Sequence, residues 1–179
     1  MSLIRALRTR IPVLLLSLGL PVSAAAQQGG GCAADSTYSA LDFWLGEWDV
    51  LVGDQIVGTN RITRVLKGCA VLEEWRDAMG GEGRSLFYVE PGTHRWKQVW
   101  VTDDAGQVGG TKEKHLVARL PDGGVRFQGE LPLPDGRLVL DRTTLTPIRP
   151  GEVRQLIETS RDGGTTWRAG FDARYRKRR

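Results

Sequence analysis

Sulfur and imidazole are scarce in this chain. Its 179 residues include two cysteines, two histidines and two methionines. Neither His94 nor His115 has a His, Cys or carboxylate at metal-ligand spacing, so no metal site is expected. The sequence also lacks a G-x-S-x-G nucleophile elbow, a phosphate-binding loop and a dinucleotide fingerprint. These absences leave serine-hydrolase, phosphate-loop, dinucleotide and metal chemistry without a motif, and nothing in the sequence demands catalysis. No cofactor is expected and no catalytic residue is assigned. Long apolar runs are missing too. The longest, Ile11 to Val22, falls short of the ~20 residues that span a bilayer.

That run has a different meaning. Arg5, Arg8 and Arg10 precede it, and Ala24-Ala25-Ala26 follows it as a small-residue cleavage site before Gln27. Residues 1–26 therefore read as an export signal, with cleavage near Ala26 and a periplasmic or secreted mature chain that has no integral membrane segment. Residues 27–36, rich in Gln, Gly, Ala and Ser, read as a flexible segment, and 37–179 as one domain. Gly30-Gly31-Cys32 suggests a lipidation site only weakly. Gly29 stands where a leucine-like residue is wanted, and Gln27-Gln28 separates Cys32 from the apolar run.

In an exported chain, Cys32 and Cys69 read as one disulfide, the alternative being two unpaired thiols. A loop of about 36 residues closed this way is stabilised by about 3–4 kcal/mol in the chain-entropy account.

The net charge of +4 is a property of the ends. Three of the 25 basic residues lie in the leader, leaving 22 against 21 acidic ones. Five more cluster at Arg174, Arg176, Lys177, Arg178 and Arg179, so the rest of the mature chain is net negative. This distribution argues against a nucleic-acid partner and fits a solvated basic tail.

From Glu47 onward, short runs rich in Val, Ile, Thr, Trp and Tyr alternate with Gly, Pro and Asp turns at roughly ten-residue spacing. Strands are expected near 47–52, 56–66, 69–78, 84–90, 95–103, 107–112, 115–120, 125–131, 137–146, 153–160 and 166–176, with the pair between 107 and 120 open to being one. Short turns make neighbours of consecutive strands. The fold class is therefore all-β, an antiparallel up-and-down barrel of about ten strands. A short helix over Ser36–Trp44, capped by Asp35 or Ser36, precedes it and could close one barrel mouth.

Ser160-Arg161-Asp162-Gly163-Gly164-Thr165-Thr166-Trp167 fits the S-x-D-x-G-x-T-W box. It occurs once, without the 40- to 50-residue period of a propeller, and reads as hairpin-turn chemistry. Six tryptophans are many for one β domain. Packing accounts for Trp48, Trp44 and Trp167, whereas Trp75 and Trp100 lie among polar neighbours. Strand parity suggests a lumen lined by Glu74, Gln98, Trp100, Arg142 and Gln155, an amphipathic set suited to a ligand.

The leader, the Phe43-Trp44-Leu45-Gly46-Glu47-Trp48 start and the Phe171-Asp172-Ala173-Arg174-Tyr175-Arg176 end resemble an exported bacterial lipocalin-like domain family of unknown function. Arg61-Ile62, Gly68-Cys69, Leu72 to Trp75, Trp96 to Val101, Arg154 to Leu156 and Ser160 to Trp167 share in the likeness, which spans nearly all of the mature chain. The resemblance implies a calycin-type barrel whose first and last strands are neighbours. Trp48 would then plug one end beneath Arg174 or Arg176. A related group of barrels binds haem through a histidine near the C-terminal end. Ala169 to Tyr175 contains none, which disfavours haem.

The leading expectation is a monomeric barrel that binds a small apolar or amphipathic molecule. Its rivals are a hydrolase or isomerase using a Glu74/Arg142 pair inside the barrel, and a solid barrel that docks a partner through outer tryptophans.

Overall fold

A computed structural model describes residues 31–179. The export signal read at 1–26 and residues 27–30 lie outside the described residues. From Gly46 the chain forms ten antiparallel strands: β1 (Gly46–Val52), β2 (Gln55–Val65), β3 (Ala70–Asp77), β4 (Glu82–Val89), β5 (Trp96–Thr102), β6 (Thr111–Arg119), β7 (Val125–Pro132), β8 (Leu138–Arg149), β9 (Glu152–Ser160) and β10 (Arg168–Lys177). Each strand pairs with its sequence neighbour, and β1 pairs with β10 to close the barrel. Of the two readings left open between 107 and 120, the single strand is the one observed, as β6. Closure leaves no strand edge unpaired, which is how such a sheet avoids adding a foreign strand.

The expected short helix is present as 3-10 turns, Ser36–Ser39 and Asp42–Trp44. Asp35 caps the first, its Oδ1 accepting a hydrogen bond from the Thr37 N–H at 2.8 Å. The segment expected to be flexible is folded from Gly31 onward. Cys32–Ala34 forms another 3-10 turn, and Cys32 is disulfide-bonded to Cys69, with a Cα–Cα distance of 4.7 Å. Gly68 permits this docking. Its φ is +93°, and a Cβ there would lie 2.5 Å from the Ala33 nitrogen. The disulfide thus fastens the N-terminal turns beside the start of β3.

Those turns seal one end. Trp44, Trp48 and Trp96 are fully buried there with Phe87, Phe127 and Leu145. Indole N–H groups fix the segment: Trp48 Nε1 donates to the Trp44 carbonyl at 2.8 Å, and Trp96 Nε1 to the Thr37 carbonyl at 2.9 Å. Trp44 also meets Phe87 and Tyr175 edge-on, each at 5.8 Å between ring centroids.

The cation over Trp48 is Lys177, with its Nζ 5.7 Å from the ring centroid, and not Arg174 or Arg176. Parity is the reason. In β10, Tyr175 and Ala173 point inward, so Arg174 and Arg176 point outward. Out there Arg174 lies near Asp54 and Glu152, and Arg176 near Asp49. Lys177 follows them at the seam, opposite Trp48, and reaches back over the barrel end.

Candidate functional site: the barrel lumen

Inward-facing residues form three layers. The sealed end is aromatic and aliphatic, as described. The middle layer is polar: Asn60 from β2, Glu73 from β3, Ser85 from β4, Gln98 from β5, Lys114 from β6, Thr143 from β8, Gln155 from β9 and Tyr175 from β10, all buried. The open end is bounded by the hairpins at 53–54, 78–81, 103–110, 133–137 and 161–167. There Trp75, Trp100 and Phe171 form half-buried aromatic walls, with Trp75 and Phe171 edge-to-face at 6.4 Å.

Between the aromatic walls and the polar floor lies a cavity of about 230 Å³, lined by residues of both layers together with Lys112 and Ile157. Two glycines make the room. A Cβ at Gly83 would lie 2.3 Å from the Trp100 ring, and one at Gly58 would lie 2.5 Å from the Trp75 ring. The indoles therefore lie across bare backbone of the neighbouring strand rather than filling the lumen.

The floor holds two linked networks. In the first, Asn60 Nδ2 donates to Glu73 Oε1 at 2.7 Å and to the Tyr175 hydroxyl at 3.2 Å. The Tyr175 hydroxyl in turn donates to Gln155 Oε1 at 2.6 Å. Burial pushes the Glu73 carboxyl above its usual range, against the opposing pull of hydrogen bonds from Ser85 and Asn60 and of the Lys114 charge. Burial likewise raises the Tyr175 hydroxyl well above its ordinary value, reinforced by Glu73.

The second network is ionic. Lys114 Nζ lies 2.9 Å from Asp141 Oδ1 and donates to Thr143 Oγ1 at 2.7 Å. Lys112 Nζ lies 2.9 Å from Asp141 Oδ2. One buried carboxylate thus serves two ammonium groups. Desolvation lowers the Lys114 pKa to about 8, partly offset by Asp141 and aided by the like charge on Lys112. Gln98 Nε2 donates to Ser85 Oγ at 2.9 Å, while Gln98 Oε1 is buried with no donor among the described residues. It is a buried, unpartnered acceptor on a residue that lines the cavity.

Of the five residues expected in the lumen, the structure brings together Gln98, Trp100 and Gln155. Glu74 and Arg142 are on the outer face. Glu74 sits 3.7 Å from Arg84, and Arg142 bonds Glu158 at 2.7 Å while stacking on Trp167 at 3.8 Å. A register offset of one residue moves a strand side chain through the wall. Their inward neighbours are Glu73 and Asp141. The Glu74/Arg142 pair considered for acid–base chemistry therefore does not exist inside the barrel.

Parity contained the needed signal in two strands. Asp141 alternates with Val139, Thr143 and Leu145, and Glu73 with Val71 and Trp75, all buried or half-buried. In β6, Lys112 and Lys114 face inward against the ordinary preference of lysine for water, and nothing in the sequence marks them.

Trp167 departs from its expected place in the core. A bulge between Ala169 and Phe171 reverses the facing of β10, so Trp167 lies outside beneath Arg142. The surrounding turn behaves as its residues suggested. Asp162 accepts from the Thr166 N–H and hydroxyl and from the Ser160 hydroxyl, and these bonds hold its carboxyl well below the usual range. Trp167 Nε1 donates to the Gly164 carbonyl at 2.9 Å.

No protein-family model matches the chain, and no curated protein matches it.

Proposed function

We propose that this barrel binds one small amphipathic molecule in its lumen, apolar body against Trp75, Trp100 and Phe171 and polar head on the floor. The observation that carries this reading is the cavity of about 230 Å³ set between an aromatic mouth and a hydrogen-bonding, charged floor. Such a division orients a ligand. Apolar burial supplies roughly 25 cal/mol per Å², and a few fixed polar groups select the head. The volume lies below the ~300–1,000 Å³ of typical drug-sized pockets, which favours a body of one or two rings or a short chain. Lys112, which lines the cavity with its Nζ beside Asp141, offers the head a charged donor.

The resemblance to exported lipocalin-like domains stands as part of the same proposal, as does a periplasmic or secreted monomer. A disulfide suits an oxidising compartment. Among the described residues no helix is long and apolar enough to cross a membrane. The outer wall carries ion pairs along its strands, such as Arg154–Asp172 and Arg142–Glu158, where a lipid-facing barrel would need an apolar band.

Native and denatured mass spectra of the protein, isolated from an exporting host without delipidation, test the reading. A small molecule present in the native mass and lost on denaturation supports it. A native mass equal to the denatured one, together with no saturable binding of aromatic probes, contradicts it.

A further inference from the structure

Two ammonium groups on the inner face of β6 share the single carboxylate of Asp141. Lys114 is the more enclosed, with a side chain 3% exposed against 22% for Lys112, yet it lines the cavity. Among the described residues, its nitrogen donates one hydrogen bond, to Thr143 Oγ1, and lies 2.9 Å from Asp141 Oδ1 as an ion pair. An ammonium has three N–H donors and a neutral amine has two. The neutral form thus keeps the bond to Thr143 and a lone pair, while Lys112, 2.9 Å from Asp141 Oδ2, still balances that carboxylate. A lysine made nucleophilic by desolvation and by a second cation is a recognised route to carbonyl chemistry.

We propose that Lys114 captures the carbonyl carbon of a small aromatic or aliphatic aldehyde or ketone bound between Trp75 and Trp100, forming an imine. This rests on the lumen-binding reading and names the ligand's reactive group. The amine lone pair forms the C–N bond, and the carbonyl π electrons move to oxygen, which takes the proton that nitrogen loses. A second proton transfer to that oxygen lets the C–O bond break and water leave, as nitrogen gives its electrons to the C=N bond. Nothing is oxidised or reduced. Glu73, lining the same cavity with its carboxyl pushed up by burial, is placed to supply and recover that proton. The pKa of Lys114, lowered to about 8, leaves a usable fraction of free amine at neutral pH.

The test uses naphthaldehyde with sodium cyanoborohydride at neutral pH, and naphthylmethanol as the unreactive partner. The borohydride delivers hydride to the imine carbon and fixes the adduct as a secondary amine, which peptide fragmentation locates. Labelling at Lys114 about tenfold or more faster than at exposed Lys67, slowed by excess naphthylmethanol, is the expected result. Lys114→Arg, which keeps the charge beside Asp141, should abolish the lumen adduct. The wild-type peptide map decides the matter even if that variant folds poorly. Equal labelling of Lys114 and Lys67, or labelling of Lys112 instead, overturns the proposal. If both compounds bind saturably by tryptophan fluorescence and Lys114 stays unmodified, imine formation fails while lumen binding stands. If neither binds and no lumen adduct forms, both fall.

Discussion

Lys177 and Trp48 are Cα partners across the seam between β10 and β1, and the Lys177 ammonium lies over the Trp48 ring. The two contribute unequally. Trp48 is buried and donates its indole N–H to the Trp44 carbonyl, whereas Lys177 is exposed. Trp48→Ala should destabilise the barrel by about 3–5 kcal/mol, the usual cost of deleting a buried large aromatic. Lys177→Ala should cost only about 0.5–1 kcal/mol, as for an exposed cation–π contact. Urea unfolding of the two variants measures both, and a larger loss for Lys177 would contradict the packing described.

The Cys32–Cys69 bond ties the sealing turns to the wall but does not close the wall itself, since neither cysteine lies in any of the ten paired strands. A Cys32→Ser, Cys69→Ser double variant should keep the far-ultraviolet signature of the barrel. Its stability should fall by about 3–4 kcal/mol, the entropy of a loop that size. Circular dichroism with denaturant titration checks both parts.

Gly83 leaves room for Trp100, so Gly83→Ala should push the indole toward the lumen. Overpacking of this kind costs about 1–3 kcal/mol, and ligand affinity should drop at least tenfold. Glu74→Gln and Arg142→Gln, both on the outer wall, should leave affinity within about twofold of wild type. Titration of naphthylmethanol against tryptophan fluorescence compares the four proteins.

The lumen also sets a pH dependence. Lys114 holds its proton less tightly when folded, at a pKa of about 8 against an ordinary 10.5. Between those values the unfolded chain binds more protons, so stability rises with pH, by up to about 3 kcal/mol for a shift of that size. Tyr175 acts in the opposite sense above its ordinary value of 10.0, because the folded chain then keeps a proton the unfolded one loses. Glu73 also opposes, at lower pH: its raised carboxyl makes stability fall as pH climbs above the ordinary 4.5. Denaturation midpoints should therefore rise from pH 8 to 10 and then level or decline. Lys114→Gln should remove the rise.

The barrel was legible in the sequence because turns and β-rich runs recur at regular spacing, and consecutive strands with short connections pair with each other. Trp96-Lys97-Gln98-Val99-Trp100 also showed its inner face, since two tryptophans mark one parity. Glu73/Glu74 and Asp141/Arg142 were harder. Adjacent polar residues in a strand look alike until one is referred to its apolar neighbours at i±2. The charges of Lys112 and Lys114 were illegible for a deeper reason. They face inward only because Asp141, two strands away around the barrel, is there to meet them, and no local pattern encodes that pairing. The bulge in β10 hid Trp167 in the same way, by changing parity partway along a strand.

Uptake of a small molecule into the cavity between the tryptophans and the polar floor is open to a direct test. Indole N–H resonances test it most directly, because each tryptophan reports its own place. With naphthylmethanol titrated into the labelled protein, the Nε1–H signals of Trp75 and Trp100 should shift saturably together. Those of Trp48 and Trp96, sealed at the other end and hydrogen-bonded to Trp44 and Thr37, should stay fixed. Shifts confined to Trp167 on the outer wall, or no saturable shift at Trp75 and Trp100, would contradict the account.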